Sequence, residues 1–422
     1  MNGTTVITGI GIATPHGLGI EDYWAATLVG KNAIGRVTRF DPSGYPATLA
    51  GEIDGFVAEE HLPGRLIPQT DRMTRLALVA ADSAFEDAGV RPGDVAEFDM
   101  GVVTASTAGG FEFGQNELKK LWSQGSQYVS AYQSFAWFYA VNSGQISIRN
   151  GMRGPSGVVV SDQAGGLDAL AQARRQIRRG SALILSGGFD APICSWGWVA
   201  QLAGGRISTS QDPERAYLPF DAGARGYVPG EGGALIVLED GEAAARRGAR
   251  QIYGEIAGYG ATFDPRPGSG RESGLRRAVE LALTDAGLEP GEIDVVFADA
   301  AGTPELDRIE ADALTAVFGA RAVPVTAPKT STGRLYSGAA PVDVVAAVLS
   351  MREGLIPPTT NVRPAPEYGI DLVTGQPRAA RVRAAVVIAR GHGGFNSAVV
   401  VRDTARTARP APHPQSTGPT EE

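Results

Sequence analysis

The chain has 422 residues, 43% apolar and 20% charged, a globular composition with room for a large core. Its formal net charge of −8 argues against a nucleic-acid partner, its single cysteine excludes a disulfide framework, and no run approaches the about 18 apolar residues of a membrane span. Met1 to Gly11 has neither a basic start nor a long apolar run, so no signal peptide is expected and the chain reads as cytoplasmic.

In chain order, an amphipathic helix is expected over Arg75 to Glu86, then an apolar strand from Met100 to Thr104. Gly109 to Trp122 reads as a loop entering a helix, with Phe111, Gly114 and Leu118 on one face at i, i+3 and i+7. A glycine inside a helix costs about 1 kcal/mol relative to alanine, so Gly114 invites a packing reason; ordinary core or a kink would also accommodate it. Tyr128, Tyr132, Phe135, Trp137, Phe138 and Tyr139 form an aromatic block suited to monomer core or to an interface.

Val158-Val159-Val160-Ser161-Asp162-Gln163-Ala164-Gly165-Gly166-Leu167-Asp168-Ala169 reads as a buried strand, a tight turn of small residues and a helix running through Gln172 to Arg179. A strand-to-helix elbow pushes one side chain into a pocket beside backbone N–H groups, the geometry for a nucleophile. The residue there is Gln163, whose amide cannot attack an acyl group. Arg174, Arg175, Arg178 and Arg179 follow at helical spacing, as a solvated face or a contact for an acidic partner. Cys194 lies well past the elbow and reads as a small buried hydrophobe. The glycine-rich stretch 226–233 lacks the Lys-Ser/Thr ending of a phosphate loop.

The chain then repeats itself. Asp87-Ala88-Gly89-Val90-Arg91-Pro92-Gly93-Asp94 returns as Asp285-Ala286-Gly287-Leu288-Glu289-Pro290-Gly291-Glu292. The second copy also follows an amphipathic helix, Leu275 to Thr284, and precedes an apolar strand, Val295 to Ala298. This points to a duplicated α/β half, with a boundary near Ala244 to Gln251. Thr404 to Glu422 is rich in Pro, Thr and Ser and is expected to be a disordered tail.

The elbow resembles the active-site turn of β-ketoacyl synthases, with Gln163 at the cysteine position and Gly166-Leu167-Asp168 matching the residues that follow. The resemblance runs from Val6-Ile7-Thr8-Gly9-Ile10-Gly11 to Gly391-His392-Gly393-Gly394-Phe395. It implies a thiolase-like layered αβαβα fold of two duplicated halves, residues 1–248 and 249–403, ahead of a tail over 404–422. The family's two histidine motifs correspond to Asp299-Ala300-Ala301-Gly302-Thr303 and Lys329-Thr330-Ser331-Thr332-Gly333-Arg334, so Asp299 and Arg334 stand where the histidines would. A carboxylate at 299 would repel the enolate those histidines stabilise, and an arginine at 334 cannot shuttle protons. None of the four histidines, His16, His61, His392 and His413, stands at these positions.

With Gln163, Asp299 and Arg334 all non-catalytic, the chain most resembles the chain-length factors, the ketosynthase β subunits of aromatic type II polyketide synthases. That resemblance implies a heterodimer with a ketosynthase α subunit, contact with an acyl carrier protein and a growing poly-β-ketone chain, and neither cofactor nor metal. It puts Phe111, Gly114 and Leu118 at the end of the chain-length chamber, where Gly114 implies a longer one. It puts Tyr132, Phe135, Trp137 and Phe138 at the dimer interface. Asp307, Arg308, Glu310 and Lys329 would persist as scaffold. Two other functions stay open: a malonyl carrier-protein decarboxylase acting through Gln163, and a degenerate homodimer that binds a carrier protein or acyl chain.

Overall fold

The computed structural model describes residues 3–266 and 268–404; the rest of the tail expected after Thr404 lies outside the described residues. The principal strands are β1 (Thr5–Thr14), β2 (Met100–Ala105), β3 (Ser156–Val159), β4 (Leu183–Asp190), β5 (Gly232–Asp240), β6 (Gly254–Phe263), β7 (Val295–Phe297), β8 (Pro324–Thr326), β9 (Ala384–Arg390) and β10 (Phe395–Arg402). The helices that position the site are α1 (Arg72–Ala88), α2 (Phe111–Gln124), α3 (Gly165–Arg178), α4 (Ser195–Ala203), α5 (Leu275–Ala286), α6 (Pro304–Phe318) and α7 (Ala339–Glu353). Among the described residues, no helix is long and apolar enough to cross a membrane.

The strands hydrogen-bond in the order β3-β2-β4-β5-β1-β6-β10-β9-β7-β8. Each side of the β1–β6 junction has the same plan. In the first half β2 lies parallel to β3 and β4, then β5 and β1 follow antiparallel. In the second half β7 lies parallel to β8 and β9, then β10 and β6 follow antiparallel. Where the two halves of the sheet meet, β1 and β6 pair through Val6–Glu255 and Ile7–Gly254.

The repeated sequence motif closes α1 and α5 in the same way. Gly89 and Gly287 cap them in the left-handed region (φ 62° and 65°), and 3₁₀ turns over Pro92–Asp94 and Pro290–Glu292 lead toward β2 and β7. These left-handed caps satisfy the last helical carbonyls and set the direction of each following strand.

Among the described residues, side-chain alternation along the strands builds the three largest of five apolar clusters. Ile236 and Leu238 of β5, and Val387 and Ala389 of β9, share the central core with Leu167 and Leu170 of α3 and Val344 and Val345 of α7. Their neighbours Leu235 and Val237 face the α1 side, while Val386 and Ile388 face the α5 side. Helices α3 and α7 therefore form a middle layer between strands of both halves, with α1 and α5 outside. The middle position explains why α7 is buried continuously from Ala339 to Ser350: neither face meets water.

The outer helices sit unusually close to their strands. A Cβ at Gly11 would lie 1.7 Å from the Ala80 carbonyl oxygen, and one at Gly260 would lie 2.1 Å from that of Ala278. Both contacts are with helix backbone, which cannot rotate aside. Gly11→Ala and Gly260→Ala are each expected to lower the unfolding free energy by about 1–3 kcal/mol, the usual cost of overpacking. Urea denaturation checks this, and unchanged midpoints would show that α1 and α5 can lift away freely.

Candidate functional site

Strand β3 ends at Val159, and the chain turns sharply before α3 begins at Gly165. The turn is made at Asp162, whose φ of 53° is left-handed, a conformation Asp tolerates because its short side chain can bond locally. Its Oδ2 accepts the His392 N–H at 2.7 Å, fastening the elbow to the glycine loop after β9. Asp168, one turn into α3, accepts from Ser161 Oγ at 2.6 Å, from the Tyr259 hydroxyl at 2.8 Å and from Ser397 Oγ. The elbow is thus held from both halves of the chain.

Gln163 is 2% exposed, and its Oε1 has no donor. It lines a cavity of about 240 Å³ together with Thr107, Arg206, Tyr227, Arg334, Arg390 and His392. The elbow therefore delivers residue 163 to a pocket, as expected, but without a nucleophile.

The structure brings Asp299 and Arg334 into direct contact. Arg334 Nη2 donates to both carboxylate oxygens of Asp299 at 2.9 Å, and Nη1 donates to the Asp299 carbonyl at 3.1 Å. The same Nη2 reaches the Arg390 carbonyl at 3.2 Å, and the guanidinium lies 5.4 Å from the centre of the Tyr227 ring. Both side chains are buried. Burial opposes ionisation of Asp299, yet Arg334, Lys329 and the Arg390 N–H outweigh it and hold the carboxyl below the usual carboxylate range. The two substituted positions neutralise each other. Both terminal nitrogens of Arg334 are engaged, Nη1 by the Asp299 carbonyl and Nη2 by the Asp299 carboxylate and the Arg390 carbonyl, so its charge is already matched.

A shell of retained residues supports the pair. Glu310 of α6 accepts the Asp299 and Ala300 N–H groups at 2.7 and 2.8 Å. Asp307 accepts from Phe220 N and Gly302 N at 3.0 and 2.9 Å. Lys329 bridges Asp343 of α7 at 2.6 Å and donates to the Ala298 carbonyl at 2.6 Å. The glycine-rich stretch does not make a phosphate cradle. It runs beside Arg334, with Arg334 N donating to Val228 O at 2.8 Å and Gly230 N to Arg334 O at 2.9 Å.

The residues expected at the chamber lie on α2, which starts at Phe111. Phe111 stacks on Trp196 of α4, with centroids 5.0 Å apart and planes 9° apart. A Cβ at Gly114 would lie 3.1 Å from the Trp196 ring and 3.6 Å from Trp137 Cβ. The room left by glycine is therefore occupied by an indole of the same chain. Leu118 is partly exposed, and Trp122, one turn on, is 82% exposed. Nothing in the sequence pattern links Trp196 to residues some 80 positions earlier; only its place beside the lone cysteine hints at it. Cys194 caps α4 with its Sγ accepting from Gly197 N, and burial pushes its thiol up to about 11, far from a reactive thiolate.

In the aromatic block, Tyr132, Trp137 and Phe138 are exposed, whereas Phe135 packs against the core beside α1. The expected solvated arginine face also divides. Arg175, Arg178 and Arg179 are exposed, but Arg174 is buried and bound to Asp285 and the Ala257 carbonyl. Arg174 shares the inward face of α3 with Leu170 and Ile177, so it joins the halves instead of meeting solvent.

A family model for the β-ketoacyl synthase N-terminal domain matches residues 4–244, and one for the C-terminal domain matches residues 253–363. The chain is 61% identical over 405 residues to a β-ketoacyl synthase 2 of the actinorhodin polyketide from Streptomyces coelicolor, covering 96% of this chain and 100% of that one. It is 59% identical to the tetracenomycin polyketide synthase ketoacyl synthase β subunit of Streptomyces glaucescens, covering 94% of this chain and 98% of the other. Among solved structures, the ishigamide ketosynthase/chain length factor aligns with a TM-score of 0.86 at 27% identity, over 95% of this chain and 99% of that one. The layered α/β fold is that of the thiolase-like ketosynthases.

Two outcomes follow from the site. Asp299→Ala leaves the Arg334 guanidinium buried without its counter-ion and is expected to cost about 3–5 kcal/mol in urea unfolding; a loss below about 1 kcal/mol would show the pair to be dispensable. Burial pushes Asp307 up to about 7, with Asp299 adding to the shift against two N–H donors. A raised folded-state carboxyl contributes stability that is full below the ordinary carboxylate value of about 4 and is lost as pH rises through about 7. Urea midpoints are therefore expected to fall across that window, with a shallower fall in Asp307→Asn; parallel slopes would exclude Asp307 as the source.

Proposed function

The chain belongs to the β-ketoacyl synthase family, and on that premise we propose that it is a non-condensing subunit that sets chain length in a type II aromatic polyketide synthase. The carrying observation is the Asp299–Arg334 ion pair behind Gln163. A condensing site needs a thiolate to carry the acyl chain and two neutral donors to hold the enolate. Here the first position is an amide, and the other two are locked onto each other. Such a subunit acts through shape and partnership.

The proposed partner is a ketosynthase α subunit with an intact cysteine and histidines, in the cytoplasm. Tyr132, Trp137, Phe138, Ile148 and Trp122 are exposed, and Phe138 and Ile148 line an apolar cleft of about 640 Å³, the kind of surface a partner subunit would cover. Strand β3 ends the sheet with one unpaired edge, and Val160 is exposed just beyond it. One solved relative is described as a type II acyl-carrier protein in complex with its ketosynthase, which supports a carrier protein as the transient second partner. The matching strand orders support two structural units, residues 1–248 and 249–403.

One observation favours a second reading. Gln163 lines the cavity and its buried Oε1 has no donor, so the amide has an unused acceptor that a small side-chain movement could turn toward a carrier-bound malonyl group during decarboxylation. The occupied Arg334 leaves that chemistry without an enolate donor, so this role would be an assisting one within the heterodimer.

Co-expression with the cognate α subunit, carrier protein and malonyl loading, with products read by mass spectrometry, tests the proposal. Full-length polyketide is expected only when this chain is present in a one-to-one complex. Release of acetyl carrier protein by this chain alone, abolished in Gln163→Ala, would replace the proposal with the decarboxylase. In the same assay Gly114→Phe is expected to shorten the product by displacing Trp196 into the chamber, and Trp196→Ala to lengthen it. Unchanged lengths in both variants would remove α2 and α4 from the chamber.

A further inference from the structure

Helix α2, which carries Phe111 and Gly114, is capped by no side chain of its own N-cap residue, Gly110. Its N-terminal turn is satisfied from elsewhere. Asp71, the N-cap of α1, accepts the Met73 N–H on Oδ1 at 2.8 Å and the Phe113 N–H on Oδ2 at 2.8 Å. One carboxylate thus caps two helices, with one oxygen for each. Asp71 is 2% exposed. Gly110 allows the approach: a Cβ there would lie 3.0 Å from Asp71 Cβ and 2.2 Å from the Ala136 carbonyl oxygen. On the opposite side, Gly110 N donates to the Trp137 carbonyl at 3.0 Å.

We propose that Asp71 is a positioning residue for chain-length selection: its ionised carboxylate fixes the first turn of α2, and with it Phe111 and Gly114, against Trp196. This rests on the chamber reading given above. Asp71 joins a core helix to the helix that presents the chamber face, so a shift at either N-terminus moves the Phe111–Trp196 stack.

The double cap depends on charge. An ionised carboxylate offers both oxygens as acceptors, whereas a protonated one turns one oxygen into a donor and leaves one N–H unmatched. The charged groups facing Asp71 are Arg75 on its own helix, Glu112 on α2, Glu59 on the short helix Ala58–His61, Arg39 (paired with Glu112) and Arg72 (paired with Glu231). The Cys194 thiol is also near and, with its acidity suppressed, is neutral. Burial, reinforced by Glu112 and opposed by the two N–H donors and Arg75, pushes Asp71 up to about 6. The second cap is therefore complete above that value and lost as pH falls through it.

The test uses the reconstituted heterodimer with carrier protein, and reads the ratio of off-length to full-length polyketide by mass spectrometry between pH about 5.5 and about 7.5. In the wild type the ratio is expected to rise about fivefold toward the acid end, the equilibrium change typical of losing one helix cap. In Asp71→Asn, whose amide cannot accept both N–H groups, the ratio is expected to be high at both ends and flat between them. A wild-type ratio independent of pH, or an Asn variant with the wild-type profile, would overturn the inference. Hydrogen exchange at Phe113 and Met73 in the wild-type complex, corrected for intrinsic rates, needs no variant to fold: protection at one of these amides should drop at acid pH, and equal protection at both pH values overturns the proposal. Gly114→Phe run alongside separates the two ideas. If it leaves product length unaltered, the chamber reading fails; if it shifts length while Asp71→Asn does not, only the role of Asp71 fails.

Discussion

The site depends on one buried ion pair. Placing Asp299 and Arg334 together in the interior is costly, since each charge gives up its water, and it is tolerated because nearly every polar atom finds a partner. Arg334 spans both Asp299 oxygens, the Asp299 carbonyl and the Arg390 carbonyl, while Asp299 also receives the Arg390 N–H. Removing either member strands the other, so the two substitutions form a unit. The unit explains how a pocket with the layout of a condensing site can stay folded with a guanidinium in its wall and a carboxylate paired to it. Glu310, Asp307 and Lys329 would support catalytic histidines in an active relative; here they hold backbone N–H groups and a second ion pair around Asp299.

The elbow keeps its shape with an amide at residue 163 because the fold needs it. Helix α3 lies in the middle layer, and Gly166 allows it to meet α7: a Cβ there would come within 2.4 Å of Pro341 Cδ and the Ser337 carbonyl oxygen. Asp168 is bonded to Ser161, Tyr259 and Ser397, and Arg174 to Asp285 and the Ala257 carbonyl, so one helix fastens the two halves at both ends. A change from thiol to amide at Gln163 alters none of these contacts. The architecture of the elbow is therefore separable from the side chain at its tip.

Local rules were enough to read much of this from the chain. The Asp-Ala-Gly-x-x-Pro-Gly-acid repeat marks two helix ends and two strand starts, because left-handed glycine caps and proline-led turns are set by neighbouring residues. The elbow was legible for the same reason, as were the residue types, Gln, Asp and Arg, at 163, 299 and 334. What stayed hidden depends on distance along the chain. Arg174 looked like one of four solvated arginines because helical spacing records the face, not the partner at Asp285. Trp196 and Asp71 gave no pattern, since their roles appear only when segments near 71, 111, 137 and 196 converge. That Asp299 and Arg334 bind each other could not be read from either motif alone.

That convergence changes what Gly114 means. Taken by itself, a glycine on a helix proposed to face the chamber reads as empty space. In the folded chain the space holds the edge of Trp196, which is itself stacked on Phe111. The volume at the end of the helix is therefore governed by where the indole rests, and residue 114 acts by permitting that position. Phe111 limits it by stacking, Trp137 Cβ lies close to the same glycine, and the turn that carries Phe111 is held by the carboxylate that caps a different helix. Dispersion contacts of this kind fall away over a fraction of an ångström. On the proposed chamber reading, product selection would thus rest on an aromatic wall fixed by hydrogen bonds strong enough to keep that gap constant.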